Sequence, residues 1–237
     1  MRETAAKIRS ACLKNERTIW ISEPARPALA QNLTIFLDGE FYRERVGVAD
    51  VIDALEGEIA DSWFVFVSTE SIEARWVECP CYPPFAQFVA EELIPWLEQR
   101  HPEMVAIQSR VLVGLSYTAL AAAFVVREYP GLFQKVISQS GSYWSNDCWL
   151  VEQFGQSRVR LSTEFYLEVG LREIQGNVQH RENLIQIISQ IEGVRRFRDV
   201  LIQLGHSVTY VEFDGGHEFE AWRETLPDAL KWALPKL

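Results

Sequence analysis

The sequence predicts an α/β fold in which a mostly parallel central sheet carries helices on both faces. Short runs of β-branched and aromatic residues alternate along the chain with longer stretches whose apolar residues recur every three or four positions. This alternation is typical of parallel sheets, because each helix carries the chain back to the start of the next strand. No Gly/Ser-rich or Pro-rich linker interrupts it. We therefore expect a single domain over residues 1–237, with a catalytic core at about 30–237.

Six short apolar runs are predicted to be the strands of this sheet. In chain order they cover residues 33–37, 63–67, 111–113, 135–138, 165–169 and 208–213. Functional groups in open parallel sheets gather at the carboxyl ends of the strands. The residues that directly follow each run are therefore the first candidates for function.

Helices are predicted between and after these runs from the spacing of the apolar residues. They cover residues 85–97, with a kink at Pro95, and then residues 119–129, 184–204 and 219–232. Pro130 and Gly131 end the second of them. Gly205 caps the third, because glycine adopts the left-handed conformation at little cost.

The composition excludes several classes of protein. The chain carries 23 Lys and Arg against 33 Asp and Glu, a net charge of −10, so we expect no nucleic acid partner and no anionic membrane surface. Apolar residues make up 48% of the chain, which excludes a disordered protein. No apolar run approaches the roughly 18 residues of a membrane span. Residues 1–17 lack the apolar core of a signal peptide, so we expect a cytoplasmic protein.

The four cysteines match neither a disulfide framework nor a metal site. Cys79 and Cys81 form a C-P-C segment with no second pair at metal-ligand spacing. We interpret all four as reduced thiols and expect neither a metal nor another cofactor. A structural zinc site is the minor alternative.

A serine nucleophile is predicted directly after the third strand run. The segment Gly114-Leu115-Ser116-Tyr117-Thr118 lies between that run and an alanine-rich helix. Strand, tight turn and helix are the context of a nucleophile elbow, in which a strained turn raises a serine hydroxyl above the sheet. Thr118 stands where a second glycine is usual. The alternative interpretation is an ordinary strand-to-helix turn with an idle capping serine.

His217 is the best candidate for the general base that a serine nucleophile needs. It follows the last strand run across a turn with two glycines, which allow the backbone to present the imidazole at the carboxyl end of the strand. The alternative is a loop histidine beside a flexible turn. His101, His180 and His206 flank helices or turns and are weaker candidates.

Glu173 is the first candidate for the acid that orients this imidazole, because it lies just beyond the fifth strand run. A carboxylate there holds the imidazole tautomer and stabilises the imidazolium. Asp214, three residues before His217, is the rival, and Asp147 is a distant third. The alternative for Glu173 is a surface ion pair with a cation such as Arg172.

Two backbone amides are predicted to form the oxyanion hole, which stabilises the charge that develops in acyl transfer. One is the amide of Tyr117, directly after the predicted nucleophile. The other is the amide of Glu40, which the turn at Asp38 and Gly39 directs into the site. The alternative is an ordinary turn at the end of a strand, which Asp-Gly often forms.

Several segments taken together resemble the enterochelin esterase-like branch of the α/β-hydrolases, the esterase D-type group. The most specific are S-Q-S-G-S-Y-W at residues 138–144 and G-G-H-x(4)-W-R at residues 215–223. The resemblance covers about residues 34–232. Its remaining segments are Leu37-Asp38-Gly39, Arg75-x-x-Glu78, Glu92-Leu93-Ile94-Pro95, the Ser116 elbow and residues 169–173.

The resemblance implies an α/β-hydrolase fold and a serine esterase that acts on small-molecule esters such as those of catecholate siderophores. The catalytic serine and histidine of the group carry over to Ser116 and His217, and its acid best matches Glu173. Some members work with serine and histidine alone. The resemblance implies no metal for ester cleavage, although a siderophore substrate can carry ferric iron. The oligomeric state stays open.

Four further residues are predicted to line a pocket for an aromatic, acidic acyl group: Arg75, Tyr143, Trp144 and Trp222. Aromatic rings stack on an aryl group, and a guanidinium pairs with phenolate or carboxylate oxygens. The alternative is that the rings belong to the core and that Arg75 forms a structural ion pair with Glu78.

Two departures from the group weaken the siderophore assignment. Thr118 replaces the usual glycine of the elbow, and we expect the chain to lack the separate amino-terminal domain of the larger enterochelin esterases. A general short-chain carboxylesterase or thioesterase is therefore the alternative function. A catalytically silent binding protein with this fold is the alternative of another class.

Overall fold

The computed structural model describes residues 2–157 and 161–236. Within these ranges, eight strands form one sheet in the order β1-β2-β4-β3-β5-β6-β7-β10, and β8 and β9 form a separate antiparallel hairpin. The strands from β4 to β10 in this order pair in parallel, whereas β1 and β2 add an antiparallel edge. The strands are β1 (Arg2–Ser10), β2 (Asn15–Glu23), β3 (Asn32–Phe36), β4 (Ser62–Val67), β5 (Ser109–Leu115), β6 (Lys135–Gln139), β7 (Glu164–Gly170), β8 (Val178–Arg181), β9 (Leu184–Gln186) and β10 (Val208–Phe213).

Helices connect the parallel strands, so the predicted fold class is confirmed. Short 3-10 turns occur at Pro27–Leu29 and Pro102–Ala106, and π-helical turns at Phe41–Val46 and Phe88–Leu93. The α-helices are α1 (Val48–Ala54), α2 (Ile72–Glu78), α3 (Pro83–Gln87), α4 (Ile94–Arg100), α5 (Tyr117–Glu128), α6 (Ser145–Gly155), α7 (Gln190–Gln203) and α8 (Phe219–Ala233). No helix in the described ranges is both long enough and apolar enough to cross a membrane.

The sheet separates two apolar layers, which explains why its central strands are continuous apolar runs. On β4 and β5, Val65 and Leu112 pack into one layer, while their neighbours Phe66 and Val113 pack into the other. Successive side chains of a strand point to opposite faces. A strand that is covered on both faces therefore buries every residue.

The six predicted strand runs correspond to β3, β4, β5, β6, β7 and β10. The last run has the bounds of β10, and the other strands are extended by one or more residues or shifted by one. The predicted helix over residues 85–97 is divided into α3, a π-helical turn and α4. Pro95 lies in the first turn of α4, directly after the π-helical turn, and has no amide hydrogen to donate to that turn.

The sequence analysis missed one feature of the sheet and misplaced one helix. The β1–β2 hairpin forms an edge of the sheet before the first predicted strand run. Most of β1 is exposed, so it lacks an apolar run. The helix expected from residue 184 begins at Gln190, because Leu184 belongs to β9 and the apolar spacing continues across a strand and a turn.

Adjacent positions in the sheet bring the candidate residues together. The strands β5, β6, β7 and β10 are neighbours in this order and run parallel. Ser116 directly follows β5, Glu173 lies three residues beyond β7, and His217 lies four residues beyond β10. All three therefore lie at the same edge of the sheet.

Candidate active site

Ser116 stands on a strained turn between β5 and α5. Its φ of 54° and ψ of −117° lie in a region that L-residues rarely adopt. Its amide donates to the carbonyl of Gln139 at 2.8 Å, which fixes the turn against β6. A Cβ at Gly114 would overlap the carbonyl group of Thr118, so the strand and the helix meet too closely for a larger residue there. The local structure is that of a nucleophile elbow.

The imidazole of His217 lies between a hydroxyl and a carboxylate. Its Nε2 is 3.0 Å from Oγ of Ser116, and its Nδ1 is 2.6 Å from Oε2 of Glu173. An ionised carboxylate only accepts hydrogen bonds, so Nδ1 carries the proton and Nε2 accepts from the serine hydroxyl. The arrangement can move a proton from Ser116 to His217 during attack on a carbonyl.

The carboxylate of Glu173 is held by two further hydrogen bonds. The amide of Gly170 and the hydroxyl of Ser140 donate to Oε1 at 2.8 and 2.6 Å. The side chain is 1% exposed. A Cβ at Gly170 would lie 3.0 Å from Oε1, so glycine leaves the room that the carboxylate occupies. These two donors fix the position of the carboxylate opposite the imidazole.

The rival acids lie elsewhere. The side chain of Asp214 is 87% exposed and faces Arg172, with 3.5 Å between Oδ1 and Nη1. Asp147 lies in the exposed left-handed turn at the start of α6. Of the three candidate acids, the structure brings Glu173 to His217.

The predicted oxyanion residues lie at the ends of β3 and β5. Tyr117 is the first residue of α5, and burial raises the pKa of its phenol to about 12. Glu40 precedes the π-helical turn, and its carboxylate accepts from the amide of Thr69 at 2.9 Å. Burial raises the pKa of Glu40. The role of the two amides stays a prediction.

Of the four predicted pocket residues, the structure places two at an active-site recess of about 460 Å³, namely Arg75 and Trp144. The ring of Tyr143 is fully buried, stacks on Phe197 and bonds to the hydroxyl of Ser138. Trp222 is also buried, and its Nε1 donates to the hydroxyl of Ser140 at 3.0 Å. The pocket position predicted for Tyr143 and Trp222 is therefore corrected, because both rings belong to the core.

Arg75 reaches the recess with its charge already paired. Its guanidinium bonds to the carboxylate of Asp38 at 2.8 Å and its side chain is 11% exposed. Burial lowers the pKa of Arg75, but the attraction of the Asp38 carboxylate outweighs this effect, so the pKa is raised above its usual value. Glu78 instead pairs with the buried Arg17. The ion pair considered between Arg75 and Glu78 is absent, because each has another partner.

Sequence reasoning missed several residues of the recess. His180 stacks on Trp144 with the ring centroids 5.1 Å apart and 8° between the planes, and it hydrogen-bonds to Gln186. The short β8–β9 hairpin that carries His180 and Gln186 has no apolar run that would have predicted it. The other recess residues that the sequence did not indicate are Trp76, Ser142, Arg172, Gln175, Val178 and Gln190.

In the part of the chain that the structure describes, no group of three or more His, Cys, Asp or Glu side chains is arranged to hold a metal ion. The four cysteines are unpaired. Burial raises the pKa of Cys81 to about 12 and also raises that of Cys79.

A mostly parallel sheet with a serine at the elbow, and a histidine and a carboxylate at the following strand ends, defines the α/β-hydrolase class. Within this class the chain belongs to the esterase family described as "Putative esterase", whose model matches residues 10–233.

Relatives with assigned names support this placement. The chain is 27% identical over 251 residues to the iron(III) enterobactin esterase of Dickeya dadantii (strain 3937), with 98% of this chain and 55% of the relative covered. It is 26% identical over 232 residues to that of Escherichia coli (strain K12), with 94% and 54% covered. The chain thus spans little more than half the length of these relatives.

Solved structures show the same fold. The enterobactin esterase of Shigella flexneri, determined in the presence of enterobactin, has a TM-score of 0.82 at 24% identity, with 97% of this chain and 58% of that chain covered. The BES protein of Bacillus cereus has a TM-score of 0.74 at 19% identity, with 100% and 97% covered.

Proposed function

We propose that this protein is a serine esterase that hydrolyses carboxylic esters through Ser116, His217 and Glu173. One observation carries the proposal: Nε2 of His217 lies 3.0 Å from Oγ of Ser116 while Nδ1 lies 2.6 Å from Oε2 of Glu173. Ser116 attacks the ester carbonyl as His217 takes its proton. The imidazolium then protonates the leaving alkoxide, and water hydrolyses the acyl-enzyme by the same steps.

The amides of Tyr117 and Glu40 are proposed to bind the oxyanion. Tyr117 begins α5, where the first amides of a helix have no partner within the helix. Glu40 follows the turn at the end of β3, the strand that pairs with β5. Both segments therefore border Ser116. Each such donor is worth about 3–4 kcal/mol in characterised enzymes.

A fluorophosphonate probe tests the nucleophile directly. It is expected to label the wild type on Ser116 and to leave Ser116→Ala unlabelled and inactive. Ser142→Ala is the matched control, because its hydroxyl lies in the same recess, 3.3 Å from Oγ of Ser116. Labelling of Ser116→Ala would overturn the assignment, and an unlabelled, inactive wild type would favour a catalytically silent binding protein.

For the substrate we propose an ester with an aromatic, oxygen-rich acyl group of the catecholate siderophore type. The relatives are enterobactin esterases by name. The recess presents the stacked rings of Trp144 and His180, with Trp76 6.0 Å from His180 between centroids. The exposed guanidinium of Arg172 lies at the same recess and can pair with catecholate oxygens.

A substrate panel tests this class against simple esters. The value of kcat/KM for a 2,3-dihydroxybenzoyl-serine ester is expected to exceed that for p-nitrophenyl butyrate. Trp144→Ala is expected to remove most of this preference, whereas Trp149→Ala, on the exposed side of α6, serves as the matched control. Equal values for both esters in the wild type would favour a general short-chain carboxylesterase or thioesterase. The chain is only 27% identical to the first of the named esterases, and this distance keeps the second function open.

The cytoplasm is the proposed site of action. Cys12, Cys79, Cys81 and Cys148 are all unpaired in the structure. Free thiols are typical of a reducing compartment.

A further inference from the structure

Asp38 connects three segments of the active site through one buried carboxylate. It lies in the turn that follows β3, is 2% exposed and has a φ of 55°. Its oxygens accept from Oγ1 of Thr69 at 2.6 Å, from Nε of Arg75 at 2.8 Å and from Oγ1 of Thr118 at 3.0 Å. These donors come from the loop after β4, from α2 and from the elbow.

Thr118 supplies the link from the elbow to this turn. Besides Asp38, its hydroxyl lies 2.9 Å from the carbonyl oxygen of Leu115 and accepts from the amide of Leu115 at 3.1 Å. It thus bonds to the residue directly before Ser116. A glycine at position 118, which is usual in this elbow, has no side chain to make these bonds.

The turn at Asp38 is packed closely on its other side. A Cβ at Gly39 would lie 2.9 Å from the backbone carbon of Phe66 in β4. The carboxylate of Glu40 accepts from the amide of Thr69 at 2.9 Å. The turn is therefore fixed to β4 and its following loop, and the bond to Thr118 is its side-chain connection to the elbow.

We propose that Thr118 and Asp38 are positioning residues that set the spacing between the two halves of the oxyanion hole. This inference rests on the proposed esterase function. The amide of Glu40 is two residues from Asp38, and the amide of Tyr117 is next to Thr118, so one hydrogen bond joins the two segments that carry the donors. In this role, the threonine that replaces the usual glycine at position 118 holds the two donor segments together.

Arg75 contributes to the same arrangement of Asp38 and Thr118. A buried carboxylate without a cation is costly, and Arg75 supplies the compensating charge. Its Nη2 also lies 3.4 Å from the carbonyl oxygen of Leu115. Arg75 therefore holds Asp38 in the orientation that receives Thr118, and this role accounts for its pairing better than direct recognition of a substrate anion.

Loss of the Thr118 hydroxyl is expected to weaken stabilisation of the oxyanion and to leave substrate binding unchanged. Oxyanion donors act on the charge that develops in the transition state, so a small displacement lowers kcat more than it alters KM. Thr118→Val removes the hydroxyl and keeps the shape. Thr118→Ser keeps the hydroxyl and removes the methyl group, and is the matched control.

The experiment measures kcat and KM on p-nitrophenyl butyrate together with the inhibition constant of an alkyl trifluoromethyl ketone, whose adduct with the serine carries an oxyanion. For Thr118→Val we expect kcat to fall about 10- to 100-fold with KM within about twofold, and the inhibition constant to rise in parallel. Thr118→Ser is expected to stay within about threefold of the wild type. Thr118→Ala replaces Thr118→Val if the latter does not fold.

The outcomes separate this inference from the proposed function. An active wild type with an equally active Thr118→Val variant overturns the positioning role alone. An equal loss in Thr118→Ser assigns the effect to packing of the methyl group and also overturns it. A wild type that neither turns over the ester nor reacts with the fluorophosphonate overturns the esterase function, and this inference with it.

Discussion

The hydroxyl of Ser140 donates a hydrogen bond of 2.6 Å to Oε1 of Glu173, the carboxylate oxygen that does not face His217. The same hydroxyl accepts from Nε1 of Trp222 at 3.0 Å. The ring of Trp222 in turn meets the imidazole of His217 edge-on, with 4.9 Å between centroids. Ser140 therefore holds the acid, and Trp222 contacts both Ser140 and the base.

Ser140→Ala is expected to lower kcat/KM about tenfold without unfolding the protein. A hydrogen bond to a charged group is worth about 1.5–3 kcal/mol, and its loss frees Glu173 to leave the imidazole. Steady-state kinetics on one ester measure the effect. Ser138→Ala is the control, because it removes a buried serine bond that goes to Tyr143. Equal kinetics for the two variants would count against support of the acid by Ser140.

Glu173→Gln is expected to keep the fold and to lower kcat/KM by about 10³- to 10⁴-fold. The variant removes the anion beside the imidazolium and favours the wrong tautomer, as amide replacements do in other triads. Asp214→Asn is the matched control and should stay within about threefold, since Asp214 is exposed and faces Arg172. A severe loss in Asp214→Asn would reverse the assignment, and small losses in both would indicate a serine–histidine dyad.

The residues that sequence reasoning located share one property. Ser116, Glu173 and His217 each follow an apolar run of a parallel strand, and the carboxyl ends of such strands meet at one edge. The position of each residue was therefore defined by its distance from a strong local signal. The fold class followed from the same runs.

The features that the sequence did not reveal depend on contacts between distant segments. Tyr143 adjoins Trp144 in the chain, yet one ring enters the core and the other the recess. The sequence left Arg75 open between the oxygens of a substrate and Glu78, whereas the fold brings Asp38 to it from 37 residues away. The position of His180 depends on a hairpin too short to carry a periodic pattern.

Arg17→Met is expected to lower the free energy of unfolding by about 3–5 kcal/mol. Arg17 and Glu78 form an ion pair with side chains 1% and 8% exposed, and removal of one partner leaves the other charge buried without compensation. Urea denaturation at constant pH measures the loss. Lys7→Met is the control, because it breaks an exposed pair with Glu16 that contributes about 0–1 kcal/mol. Equal midpoints for the two variants would show that the buried pair is not required.

Glu168 gives the protein a pH-dependent stability that its replacement should remove. Burial raises the pKa of Glu168 from 4.5 to about 7, although Thr225 and Gln139 donate to its Oε1. Between these two values the folded protein binds more protons than the unfolded chain, so the free energy of unfolding falls as pH rises. The contribution is complete below the lower value, and above the higher value about 3 kcal/mol has been lost.

Glu168→Gln imitates the protonated acid, because its amide oxygen can accept from both donors. The difference in free energy of unfolding, variant minus wild type, is therefore expected to grow by about 2.5 kcal/mol between pH 5 and pH 8, as measured by urea denaturation. Glu212→Gln is the control: hydrogen bonds from Arg195 lower the pKa of Glu212 to about 2, so its difference from the wild type should stay nearly constant over the same range. Parallel curves for the wild type and Glu168→Gln would show that Glu168 does not change its protonation on unfolding.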